Sequence, residues 1–225
     1  MNSSIQELLK LDGYSISQIR DLQDAKLCFE HVVLPRKIKR EAKAAEVLRE
    51  FKGKYTKDKL DEIFNLADND PTGPWFEPLL SRPNRNNLYR NPMIELNNLI
   101  DKLLENGDLG WLGQWRRTGN RGMSAGIATL FMYLFAPHSY NIWLPKNHSG
   151  LSKLYQLDAR RPKHKELSPE EYTIFYKRFN DKAVGVCKEN GLVPQSIDWF
   201  LWAVNEIKEN PNNRHLRAYI EGTTK

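Results

Sequence analysis

The stretch Trp115-Arg116-Arg117-Thr118-Gly119-Asn120-Arg121-Gly122-Met123-Ser124-Ala125-Gly126-Ile127-Ala128 sets the reading of this chain. Three glycines and three arginines crowd a turn that opens directly into a helix carrying Met123, Ile127, Leu130, Phe131 and Leu134. Glycine permits left-handed backbone angles and close approach by another chain. The first amides of the following helix have no intrahelical partner and favour an anion. Arg116, Arg117 and Arg121 add charge around that point, which makes a phosphate-sized site. The same glycines also suit an ordinary turn before a closely packed helix.

Working outward, helical periods dominate. Upstream, residues 93–104 place Ile94, Leu96, Leu99, Ile100 and Leu103 at helical spacing, with Asn106-Gly107 as the stop. Residues 68–92 are rich in proline and asparagine and read as an ordered surface loop anchored by Trp75, Phe76, Leu79 and Leu80; Asp68 and Asp70 read there as turn formers. Thr56 caps a helix holding Leu60, Ile63, Phe64 and Ala67. A helix after Pro35 turns Ile38, Ala42, Ala45, Leu48 and Phe51 inward and runs to Gly53. Its outer face carries Arg36, Lys37, Lys39, Arg40 and Lys43, a solvated face. Ser15-Ile16-Ser17-Gln18 has capping-box form and starts a helix with Ile16, Ile19 and Leu22 on one face. Residues 27–34 fit either its continuation or a short extended piece.

Downstream, Pro137 ends the apolar helix and opens an extended segment over residues 140–145. A short helix at 151–157 leads into a charged loop at 158–165. Ser168-Pro169-Glu170-Glu171 supplies a cap, a first-turn proline and a carboxylate three residues on, so a helix runs from there to Asn190 and stops at Gly191. A last helix from Ser196 buries Trp199, Phe200, Ala203 and Ile207 before Pro211, and residues 212–225 read as a loosely held tail. The fold class is all-α, with room for one short extended pair.

The 225 residues suit one helical domain, or two lobes at 1–67 and 68–211 sharing an interface. With 40% hydrophobic and 11% aromatic residues the chain can fill a core. A net charge of +6 permits contact with nucleic acid. Cys28 and Cys187 read as two buried thiols in a reducing compartment, and neither they nor His31, His138, His148, His164 and His215 show metal-ligand spacing. No metal or other cofactor is expected. The N-terminal Met1-Asn2-Ser3-Ser4-Ile5-Gln6-Glu7 lacks signal-peptide form, and the longest apolar run falls short of the ~20 residues that cross a bilayer. A cytoplasmic protein without a membrane partner is expected.

Around the glycine turn the chain resembles a helix-hairpin-helix element, in which hairpin amides hold one DNA phosphate. Gly122, the small residues Ser124 to Gly126 and the run from Ile127 to Leu134 carry the likeness. The next segment, Phe135-Ala136-Pro137-His138-Ser139-Tyr140-Asn141-Ile142-Trp143, is similar to the one that succeeds the hairpin in DNA glycosylase-like folds. It is also similar to the recognition modules of McrBC-type, modification-dependent restriction proteins, as are Trp75-Phe76 and the late Asp198-Trp199. The resemblance implies a helix-hairpin-helix-like core that binds duplex DNA or a flipped-out or single-stranded base, modified or distorted DNA included. It also implies a separate motor or nuclease protein as partner. Superfamily members that cleave place a lysine in the hairpin or an aspartate beyond it. Here residues 122–126 hold no lysine, residues 138–147 hold no acid, and Leu144 stands near the aspartate position. The expectation is therefore a binder without catalysis of its own. A glycosylase or lyase with relocated groups, and a protein–protein adaptor docking through residues 75–89, are the alternatives.

On this reading Gly119, Gly122 and Gly126 shape the hairpin, and Arg116, Arg117 and Arg121 meet phosphate beside Ser124. Tyr140, Trp143 and Lys146 line the adjoining wall, with Trp143 against a base; with Trp111 and Trp115 these rings are equally suited to core packing. The run Arg160-Arg161-Pro162-Lys163-His164-Lys165 could track phosphates or simply be solvated, while Arg82, Arg85 and Arg90 interleaved with Asn84, Asn86, Asn87 and Tyr89 could read base edges or stack on a base, or form a turn-rich loop held by asparagine side chains.

Overall fold

Two serine caps show how local sequence chooses the helix starts. Ser15 and Ser168 each accept from the backbone amide three residues on, while Gln18 and Glu171 reach back to the cap amides. The computed structural model describes residues 3–67, 82–155, 157, 160–163 and 167–222, with backbone only at 3, 4 and 82–84. Its first half holds α1 (Ser3–Leu11), α2 (Ile16–Cys28), α3 (Leu34–Glu50), α4 (Lys57–Ala67), α5 (Arg82–Leu88) and α6 (Met93–Asn106). The second holds α7 (Trp111–Arg117), α8 (Ala125–Phe135), α9 (Pro145–Ser152), α10 (Pro169–Asn190), α11 (Pro194–Glu209) and α12 (Arg214–Ile220). The fold is all-α, and the extended pair has no counterpart among the described residues.

Glycines in left-handed conformation end α6 and α10: Gly107 at φ 60° and Gly191 at φ 59°. Between α2 and α3 the chain stays helical through a π turn, Phe29–Val33, closed by the Leu34 amide donating to the Phe29 carbonyl. Pro35 has no amide and its ring crowds the preceding turn, so a wider turn upstream lets the helix continue without a break. The same turn presents Phe29 to the core, where it stacks on Trp199 at 4.3 Å.

Helix α8 lies at the centre. Every residue from Ala125 to Leu134 is buried, between α3 and α6. Helix α11 is the second hub and packs on α2, α3, α9, α10 and α12. Its approach to α9 needs Gly150, because a Cβ there would overlap the Leu201 backbone. The buried side chains form one continuous cluster that runs from Ile5 to Tyr219.

Several positions differ from the sequence reading. Ile94 is 72% exposed because it shares its helix face with Asn98, Asp101 and Glu105, two residues out of step with Leu96. Ile16, at the first turn of α2, is likewise exposed, and Ile38 and Ala42 face outward from α3. Lys37 turns inward instead: α3 is covered by α4, α8 and α11, so more of its circumference is buried than one stripe. Its ammonium meets Glu41 at 2.6 Å and Asp198 at 3.2 Å, and the Tyr133 hydroxyl donates to Glu41 at 2.5 Å. Where a loose tail is expected, Asn213 caps α12, and Leu216 and Tyr219 pack against α2 and α11. Helices α1, α5 and α7 are additional, and α9 begins six residues before the expected short helix because Pro145 starts it. Trp75, Phe76, Leu79, Leu80, Asp68, Asp70, His164 and Lys165, and the side chains of Arg82 and Asn84, lie outside the described residues. No described helix is long and apolar enough to cross a membrane.

Candidate nucleic-acid interface

The hairpin is built from both ends inward. Helix α7 stops at Thr118, whose hydroxyl donates to the Trp115 carbonyl at 2.8 Å. Gly119 then takes φ 84° with open space around it. Asn120 donates to Glu95 at 2.5 Å and to the Thr118 hydroxyl at 2.9 Å, which ties the turn to α6. Asn91 clamps the next residue. Its amide nitrogen donates to the Arg121 carbonyl at 2.7 Å, and its oxygen accepts from the Arg121 amide at 2.9 Å. Gly122 takes φ 85° and lies against the end of α5, where a Cβ would come within 2.6 Å of Leu88 Cα. Arg116 reaches across the loop and donates to the Met123 carbonyl at 3.2 Å. Ser124 caps α8 by accepting from the Ile127 amide.

A helix, a two-glycine turn and a second helix succeed one another here. Both flanking helices pack on α6, but α7 otherwise turns to α10 and α8 to α3. Gly126 is buried, and a Cβ there would press on Leu144; its role is packing.

The arginines of the hairpin have no counter-charge among the described residues. Arg117 and Arg121 are exposed, Arg116 is half-buried, and none of them pairs with a carboxylate among the described residues. Most other cations described nearby are engaged. Lys146 meets the buried Glu206 at 3.2 Å, which removes it from the phosphate-binding set. Arg85 donates to Asn65 and lies over the Phe64 ring, and the Tyr89 hydroxyl donates to Asp61.

The aromatic wall is a correction. Trp143 is fully buried among Tyr172, Tyr176 and Phe179, and its indole donates to His148 Nδ1 at 3.1 Å. Its ring has no free face for a base. The expectation failed because an aromatic beside a basic stretch looks the same in sequence whether it faces cleft or core. Trp115 is also buried, and Tyr140 covers Gly107 at the end of α6. Trp111 and Tyr140 are the two partly exposed members of the four, both packed against the core edge, and the Lys102 ammonium lies 4.1 Å from the Trp111 ring centroid.

Arg161 is the residue that sequence spacing could not assign. It leaves its basic run, donates to the Trp143 carbonyl at 2.7 Å and lies over the Trp143 ring. Burial lowers its pKa from the ordinary value and does the same for Arg116, where Arg161 adds to the lowering. Burial raises the pKa of Tyr172, and the two guanidiniums oppose that rise. A cavity of about 190 Å³ is lined by Leu109, Leu112, Gly113, Arg116, Arg117, Leu167, Pro169 and Tyr172, and Arg161 is not part of its wall. A wider chamber of about 480 Å³, with Trp111, Gln114 and Thr173 in its lining, adjoins it through Arg117 and Pro169.

Among the described residues no group of histidine, cysteine and acidic side chains could hold a metal ion. No protein-family model, curated protein or solved structure matches this chain.

Proposed function

We propose that this protein binds nucleic acid, with DNA the first choice, through the 116–124 hairpin, and that it does so without a catalytic step of its own. One observation carries the reading: exposed Arg117 and Arg121 stand without acidic partners among the described residues, on a loop that Asn91 and Asn120 hold in place. Fixed cations of this kind suit phosphates, which position a strand without reading its sequence. Arg116 supports the loop from behind and extends the positive surface inward. Trp143 and Lys146 have no direct part, since one is core and the other is paired. A partner motor or nuclease would act on the strand that the hairpin holds.

The test is a salt titration of binding to single-stranded, duplex and methylated duplex DNA. Changing Arg117 and Arg121 together to alanine weakens all sequences about equally. The slope of log affinity against log salt falls by ~0.9 for each duplex phosphate no longer neutralised. Unchanged affinity and slope in the folded double variant overturn the reading. So does wild-type protein with no salt-dependent affinity for any of these ligands, which favours the adaptor alternative.

A further inference from the structure

Helix α5 meets the hairpin along a seam of backbone. A Cβ at Gly122 would come within 2.7 Å of the Asn87 carbonyl carbon and 2.6 Å of Leu88 Cα. Just beyond the helix, Asn91 bonds both the amide and the carbonyl of Arg121. The end of α5 and the hairpin are therefore fixed against one another.

Helical spacing then sends the side chains of residues 85–90 in two directions. Arg85 and Tyr89 turn to α4, where Arg85 donates to Asn65 and the Tyr89 hydroxyl donates to Asp61. Leu88 is fully buried. Asn86, Asn87 and Arg90 are left on the other side, all three exposed. Their side chains bond nothing among the described residues. Glu95, the acid nearest to Arg90 in sequence, is engaged by Asn120.

Two neutral amides thus stand between two exposed guanidiniums, Arg90 after them in the chain and Arg121 across the seam. The guanidiniums suit phosphates, which carry no sequence information. The amides offer something different. An asparagine side chain places a donor beside an acceptor, which matches N7 and the N6 amino group of adenine in the major groove. That groove also has the width to admit a helix. In the minor groove an A·T pair shows acceptors alone and leaves the amide oxygen without a partner.

We infer that the exposed side of α5 is the sequence-reading edge of the interface, where Asn86 and Asn87 contact adenine in the major groove of duplex DNA and Arg90 adds a phosphate contact to those of Arg117 and Arg121. The inference rests on the hairpin reading, because the hairpin's phosphate contacts bring the groove to α5.

Duplexes enriched by the wild-type protein from a randomised pool are compared with a shuffled duplex by fluorescence anisotropy. Each is made with adenine and with an analogue whose N7 is replaced by carbon. The enriched duplex binds about five- to a hundred-fold more tightly for each adenine read, the range of one bidentate pair, and the analogue removes that preference. The double variant Asn86→Ala/Asn87→Ala binds the enriched duplex no better than the shuffled one. Arg90→Gln weakens both duplexes equally and lowers the slope of log affinity against log salt by ~0.9. These side chains are exposed and unbonded, so the variants keep the wild-type Tm. Salt-dependent binding that enriches no sequence overturns the reading edge and leaves the hairpin reading standing. So does a preference that survives the double variant or the analogue. Wild-type protein without salt-dependent affinity for any duplex overturns the hairpin reading, and this one with it.

Discussion

Asn91 offers the sharpest test of how the hairpin is held. The side chain is 9% exposed and sits between α5 and α6. Its amide nitrogen donates to Leu88 at 2.6 Å and to Arg121 at 2.7 Å, and its oxygen accepts from the Arg121 amide at 2.9 Å. Asn91→Ala removes these three bonds, each worth about 1 kcal/mol net, together with a longer one to the Asn87 carbonyl at 3.4 Å. Arg121 lies at the surface, so water recovers part of two of them, and the expected loss is about 2 kcal/mol. For a chain of this size that lowers Tm by about 4–8 °C. Thermal and urea denaturation read the loss. DNA titration of the folded variant should show weaker binding with an altered salt slope, because Arg121 no longer has one position. A Tm within ~1 °C of wild type, together with unchanged DNA affinity, would show that the loop holds its shape without the clamp.

Three further outcomes rest on the same packing and charge arrangement. Gly119→Ala meets open space and bears only the strain of positive φ, about 1–2 kcal/mol, whereas Gly122→Ala adds backbone overlap with Leu88 for about 2–6 kcal/mol; equal costs by urea denaturation would contradict the packing of Gly122 on α5. Lys37→Met leaves Glu41 and Asp198 buried without their cation and should cost about 3–5 kcal/mol; a neutral result would mean water reaches that network. Trp143→Ala should cost about 3–5 kcal/mol of stability, since the ring is entirely core, and lost DNA binding in a variant of undiminished stability would return the ring to the binding surface.

The helix ends were legible because they depend on residues close in sequence. Ser15, Ser168, Gly107 and Gly191 act through hydrogen bonds and backbone angles that span only a few positions, so their spacing is enough. The period of α6 likewise places Leu96, Leu99, Ile100 and Leu103 inward, Ile94 excepted, and the all-α class comes from helical spacing of this kind. Periodicity does not say how many faces a neighbour covers. Lys37 reads as a solvated lysine on α3 until α8 and α11 close over it with Tyr133 and Asp198. The candidate site divides in the same way. Gly119, Arg117 and Arg121 were legible from composition around one turn, because that turn is local. Tertiary structure alone decided that Trp143 faces the core, that Lys146 is taken by Glu206, and that Arg161 lies over the Trp143 ring. Burial and charge pairing arise between segments far apart in the chain, and a residue's own neighbours in sequence carry no record of which segment will lie against it.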